Sequence, residues 1–224
     1  MILFVLGIAA SILIGDILYR CGASAELARK SVHVGCCTLI AAFPVLGIGY
    51  RELSWIAAGS FVVIALLRNT VVLRAVMAVE RKSYGDLMLP LSVVIVSTLA
   101  LSVQAATTPP LPLEATYPAF LGAYLVLGIS DTCASLFGRA YGQRRYRRLG
   151  HGKSYVGSAA FFVSACVVIC LAALFAGASP LAAMLIAGAT AAALTVVEAF
   201  SHKGTDNLSV PLIAAASLHS LLSL

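Results

Sequence analysis

Long apolar runs separated by short polar stretches repeat along the whole chain, and the pattern is that of helices built to cross a bilayer. Runs near 1–19, 32–49, 51–67, 87–106, 117–137, 155–177, 180–199 and 207–224 predict eight spans, given that a membrane helix needs about 20 mostly apolar residues. The runs at 51–67 and 207–224 are the short ones, suited to tilted or re-entrant segments. Between the third and fourth spans, Val71 to Val79 is interrupted by Arg74 and reads as a helix lying in the interface. The stretch Thr107-Thr108-Pro109-Pro110-Leu111-Pro112 predicts an extended connection, because proline constrains both itself and the residue before it. The first run has no basic residue ahead of it and no convincing cleavage site before Asp16, so it reads as a retained span rather than a signal peptide.

Composition sharpens this picture. The 224 residues are 61% hydrophobic and 11% charged, with a mean hydropathy of +1.00. Soluble chains average roughly 45–50% apolar and about 25% charged, so a soluble domain is excluded. The expected fold is an all-α, polytopic transmembrane bundle forming one domain over 1–224. None of the six cysteines makes a CxxC pair or a zinc spacing, and each is expected to act as a small apolar residue.

The net charge of +6 would suggest nucleic acid in a soluble protein. In a membrane chain it is a question of topology, and no nucleic-acid partner is expected. With eight spans, Arg51 is the only one of 15 Lys and Arg residues on one side. Basic residues are retained in cytoplasmic connections, so both termini are expected outside and the basic loop 139–153 inside. Acidic residues contribute little to orientation. Yet Asp16, Glu26, Glu80, Asp86, Asp131, Glu198 and Asp206 also fall at that side, leaving only Glu52 and Glu114 opposite. A site holding cations and anions together explains this better than topology does. The span centres carry no charged residue, which argues against an ion or proton path.

Three stretches carry the candidate chemistry. In Gly128-Ile129-Ser130-Asp131-Thr132-Cys133-Ala134-Ser135-Leu136-Phe137-Gly138-Arg139, helical spacing would place Asp131, Ala134 or Ser135, and Gly138 on one face. Small residues beside a carboxylate let a backbone or ligand approach closely. In His151-Gly152-Lys153-Ser154-Tyr155-Val156-Gly157-Ser158, a cation and hydroxyls are expected at a helix start, where free N–H groups favour phosphate. Gly152-Lys153-Ser154 is not a P-loop: Arg147 stands where the first glycine belongs, and no strand is expected before it. Arg144, Arg145, Arg147 and Arg148 read as a lipid-facing anchor. Arg29, Lys30 and His33 form a second basic cluster, with Arg29 and His33 one turn apart. Glu198 and Asp206-Asn207 form the third; Asp206 could cap the last helix, and Pro211 could free carbonyls towards a site. With Asp131, these carboxylates could supply hard oxygen ligands for Mg²⁺.

Taken in order, Arg29-Lys30-x-x-His33, Asp131-x-x-Ala134-Ser135-x-x-Gly138-Arg139-x-x-Gly142, Lys153-Ser154-x-x-Gly157-Ser158, and Glu198 followed by Asp206-Asn207-Leu208-x-Val210-Pro211-Leu212 resemble the polyprenol kinase family, with its dolichol and phytol kinases. That family is more distantly related to phosphatidate cytidylyltransferases. The resemblance implies a membrane enzyme that moves a phosphoryl group from CTP, or a related nucleoside triphosphate, to a lipid alcohol at the cytoplasmic face. It implies Asp131 and Asp206 as Mg²⁺ ligands, with Glu198 a third carboxylate. Arg29, Lys30, Gly138, Arg139, Lys153, Ser154, Gly157 and Ser158 would bind the nucleotide phosphates, with Asp131, Lys153 and His33 closest to the chemistry and Asn207 and Pro211 in support. Val156 departs from the carboxylate present in many relatives. Its rivals are CDP-lipid synthesis, CTP-dependent diacylglycerol phosphorylation, and a carrier of anionic lipid.

Overall fold

The computed structural model describes residues 2–67, 84–148 and 151–222. The chain forms helices α1 (Ile2–Arg20), α2 (Ala25–Ala41), α3 (Tyr50–Leu67), α4 (Gly85–Ala105), α5 (Leu113–Leu125), α6 (Asp131–Tyr141), α7 (Tyr155–Phe175), α8 (Pro180–Phe200) and α9 (Asp206–Leu222). A five-residue π-helical turn, Val126–Ser130, joins α5 to α6 without a break. Five of the described helical segments are long and apolar enough to cross a membrane: α1, α4, the continuous Leu113–Tyr141, α7 and α8. The other three expected spans form helices too, but α2 and α9 have only 17 residues each, and α3 has Arg51 and Glu52 in its first turn. The expected interfacial helix at 71–79 lies outside the described residues.

Local chemistry explains where the helices start. The second begins at Ala25, seven residues before the expected apolar run, because the Ser24 side chain accepts a hydrogen bond from the Leu27 N–H at 3.2 Å and Glu26 complements the N-terminal dipole. Arg29, Lys30 and His33 therefore stand within α2. Ser179 caps α8 in the same way, with Pro180 at its first position. Pro90, Pro118 and Pro211 lie inside α4, α5 and α9 without ending them, which membrane helices tolerate where neighbours re-satisfy the backbone.

The bundle is all-α as expected, and the basic loop adds a short hairpin to it. Residues Arg145–Arg148 (β1) and His151–Ser154 (β2) pair as an antiparallel hairpin, with Tyr146 opposite Lys153. A strand thus does precede α7, and Lys153 sits on it rather than on the helix. The P-loop remains excluded by the missing glycine at 147. The helix itself starts at Tyr155 behind an Ser154 cap, whose side chain accepts from the Gly157 N–H at 3.0 Å.

Packing divides the bundle into two ends. One end holds an aromatic core: Phe43 lies 4.8 Å from Tyr50 and 5.1 Å from Phe120, and Phe120 lies 4.6 Å from Tyr124, between ring centroids. The other end is where α2, α4, α7 and α9 begin and α6 and α8 finish. Between them, the π-helical turn packs against α2, α5, α6, α7 and α9. Outward-facing residues such as Leu3, Leu13, Trp55, Val163, Leu171 and Leu185 are exposed and apolar, as a lipid-facing surface requires.

Candidate functional site

The end opposite the aromatic core gathers the charged residues that the sequence singled out. Lys30, 3% exposed at its side chain, donates to Asp131 Oδ2 and to the Asp131 carbonyl at 3.3 Å. His33 Nε2 lies 3.5 Å from the same carboxylate oxygen and 3.4 Å from the Leu127 carbonyl. Its third neighbour is the Cys37 thiol, 3.9 Å away. The Leu127 carbonyl belongs to the π-helical turn, so α2 meets that turn through His33. Gly128 lets α2 approach, since a Cβ there would stand 2.8 Å from the Cys37 Cβ.

A second pair stands alongside. Lys153 donates from β2 to Glu198 Oε1 and to the Glu198 carbonyl at the end of α8. Glu198 is 4% exposed, and its Oε2 has no hydrogen-bond partner among the described residues. The hydroxyls of Ser130 and Thr132, on either side of Asp131, are buried and unpartnered in the same sense. Native interiors rarely leave such groups unsatisfied, so each of these atoms is open to a further polar partner.

Asp206 opens α9, where its Oδ1 accepts from the Asn207 N–H at 3.1 Å. Asn207 ties the helix to α4 by donating its Nδ2–H to the Gly85 carbonyl at 2.9 Å, and Pro211 is buried further along. Burial pushes the Asp206 carboxyl above its ordinary range and the nearby Asp131 charge adds to this, against Lys153 and Lys30. The charges of Asp131 and Asp206 also act on Glu198. Three carboxylates and two lysines therefore share one neighbourhood. Each carboxylate keeps one oxygen that no described donor occupies. Among the described residues, no three of His, Cys, Asp and Glu converge closely enough to enclose a metal ion by themselves.

The glycines have a different part. A Cβ on Gly138 would meet Ser154 Oγ at 2.8 Å, one on Gly157 would meet the Ala134 carbonyl at 2.8 Å, and one on Gly142 would meet the Gly138 carbonyl at 2.2 Å. Together they let the start of α7 lie directly on α6, which brings Lys153 and Asp131 to the same end. Ser154 is occupied as the helix cap, and Ser158 Oγ pairs with the Tyr146 hydroxyl at 2.6 Å.

Glu26, which the sequence places on the charged side without a specific role, is a centre of polar contacts in the structure. It accepts from Arg29 Nη2 at 2.7 Å and Nε at 3.2 Å, and from Ser135 Oγ at 2.6 Å; Arg139 Nη2 lies 3.2 Å from its Oε2. Burial pushes its carboxyl up, but these hydrogen bonds and the Arg29 and Arg139 charges outweigh it and hold the value down at about 2. The spacing Glu26-x-x-Arg29 was a visible signal, masked by the ordinary preference for acid in a first helical turn.

No family model matches the chain, and no solved structure matches it. Among curated proteins, it is 30% identical over 213 residues to the phytol kinase of Synechocystis sp., an alignment covering 93% of this chain and 85% of that protein.

Proposed function

The chain belongs to the polyprenol and phytol kinase family, and on that premise we propose that it is a membrane-embedded lipid kinase that moves the terminal phosphoryl group of a nucleoside triphosphate to an isoprenoid or related lipid alcohol. The observation that carries this reading is the interleaving of Lys30 and Lys153 with Asp131, Glu198 and Asp206 at one end of an apolar bundle. Phosphoryl transfer asks for alignment and charge neutralisation more than for covalent help from the protein. A site at the end of the bundle lets a polar nucleotide arrive from water while the alcohol enters from the bilayer.

CTP is the donor we assign, following the resemblance, and the cytoplasm is the side from which it binds. Lys30, Lys153, Arg29 and Arg139 hold the phosphates. The open oxygens of Asp131, Glu198 and Asp206 fit Mg²⁺, which takes hard oxygen ligands, commonly one or two carboxylates with phosphates and water completing the shell. That arrangement needs no closed protein cage. Bound there, Mg²⁺ would offset the charge between the terminal phosphates.

In the reaction, the alcohol oxygen forms a bond to the terminal phosphorus, and the bond from that phosphorus to the nucleoside diphosphate oxygen breaks. The hydroxyl proton passes to a carboxylate of the site. His33, whose Nε2 faces the Asp131 carboxylate and the Leu127 carbonyl, serves to orient Asp131.

The test incubates purified protein with Mg²⁺, a panel of labelled nucleoside triphosphates and mixed prenols including phytol, and identifies the labelled lipid by mass spectrometry. A phosphorylated prenol with nucleoside diphosphate as by-product is the expected result. Release of pyrophosphate would indicate CDP-lipid synthesis instead. Lipid binding kept by wild type and by the Asp131→Asn and Asp206→Asn variants alike, with no nucleotide consumed by any of them, would make the protein a carrier.

A further inference from the structure

The Glu26 cluster stands one helical turn outside the Lys30–Asp131 pair, and its geometry assigns it a task of its own. On α2, Glu26 precedes Lys30 by four residues. On α6, Asp131, Ser135 and Arg139 are spaced by four, so they share a face. The two helices meet as a ladder. Lys30 pairs with Asp131 at the inner rung, and Glu26 receives Ser135 and Arg139 at the outer one.

At that outer rung the acid is sheltered and the bases are not. The Glu26 side chain is 10% exposed, against 43% for Arg29 and 58% for Arg139. One carboxylate cannot cancel two guanidinium ions, so the trio keeps a net positive charge. Arg29 uses Nε and Nη2 on Glu26 and Arg139 uses Nη2, leaving each with further N–H groups towards water. A guanidinium is a planar fork suited to phosphate oxygens. Two of them, fixed by a shared carboxylate that Ser135 in turn holds, are a pre-ordered fork pair that loses little freedom when an anion binds.

Resting on the kinase reading, we propose that Glu26 is a positioning residue that holds Arg29 and Arg139 as a subsite for the diphosphate portion of the nucleotide, the portion that leaves. The inner rung, about 6 Å deeper along the helix, takes the phosphoryl group that is transferred. Glu26 touches no reacting atom. It therefore governs how tightly nucleoside triphosphate and nucleoside diphosphate are held, not the rate once the site is filled.

The experiment measures steady-state kinetics of wild type, Glu26→Gln and Ser135→Ala, with product inhibition by nucleoside diphosphate. Glu26→Gln is expected to raise the KM for nucleoside triphosphate and the Ki of the diphosphate together, each about tenfold, a change of about 1.4 kcal/mol. The KM for the lipid alcohol and kcat at saturating nucleotide should stay within about twofold. Ser135→Ala, which removes a single hydroxyl, should move both nucleotide constants the same way by about threefold, and it serves as the readout if Glu26→Gln does not fold. A fall in kcat or in thermal stability with both nucleotide constants unchanged would overturn the inference and leave Glu26 a strut between two helices. If wild type consumes no nucleotide, the kinase reading itself fails; if wild type turns over and only the variants behave otherwise, the subsite alone fails.

Discussion

Lys30 is a lysine with 3% of its side chain exposed, held against a carboxylate in a bundle of apolar helices. A buried pair of this kind is strongly sensitive to loss of one partner, because the other is left charged without compensation. Lys30→Met is therefore expected to lower stability by about 3–5 kcal/mol, read as a fall in Tm in detergent, whereas Lys30→Met combined with Asp131→Leu should recover most of that loss while remaining inactive. Recovery of activity in the double variant would show that the pair is structural only. Glu26 makes a pH-dependent prediction. Its folded value of about 2 lies below the ordinary 4.5, so its stabilising contribution is complete above about 4.5 and is lost as pH falls towards 2. The Tm gap between wild type and Glu26→Gln should be constant from pH 8 to 5 and close below that; a gap that widens on acidification would contradict the ion pairing described.

At the scale of elements, the contact of α6 with α7 sets the site. Gly142→Ala places a Cβ 2.2 Å from the Gly138 carbonyl and 2.5 Å from the Ser154 Cβ. Neither is the end of a flexible side chain, so the cap of α7 must move. The expected loss is about 1–3 kcal/mol from overpacking, with activity falling too because Lys153 precedes the displaced cap. Gly59→Ala in α3 is the control: nothing lies within 4 Å of a Cβ there, and alanine is the better helix former, so Tm should hold or rise. Equal losses in both variants would mean that the α6–α7 contact has no special role. The face joining Asp131, Ser135 and Gly138 was legible in the sequence because helical spacing alone predicts it. The hairpin was not, since Arg145-Tyr146-Arg147-Arg148 has no apolar alternation to announce a strand. Nor was the π-helical turn, because one widened turn leaves an apolar run looking like any other. That turn nonetheless carries the Leu127 carbonyl that His33 meets.

For the whole molecule, the sequence and the fold converge on sidedness from independent directions. Charge alone separates Arg51 from the other 14 basic residues across eight spans, and the fold brings the starts of α2, α7 and α9 and the end of α8 to one end through the Lys30–Asp131, Lys153–Glu198 and Asn207–Gly85 contacts. A nucleotide-using enzyme needs that end in the compartment where nucleoside triphosphates are made, and retained basic connections would put it there. Cys21 offers a native probe of this arrangement. It lies in the turn between α1 and α2, at the same end as the start of α2, and it is the exposed cysteine among six whose other members are buried or half-buried. A membrane-impermeant maleimide should label Cys21 in inside-out vesicles and leave it unmodified in right-side-out ones, with Cys21→Ser abolishing the signal. Bound nucleoside triphosphate should leave this labelling unchanged, because Cys21 belongs to the rim and not to the site. Labelling only from the right-side-out preparation would invert the topology and place the carboxylates and lysines on the face that the proposed kinase activity cannot use.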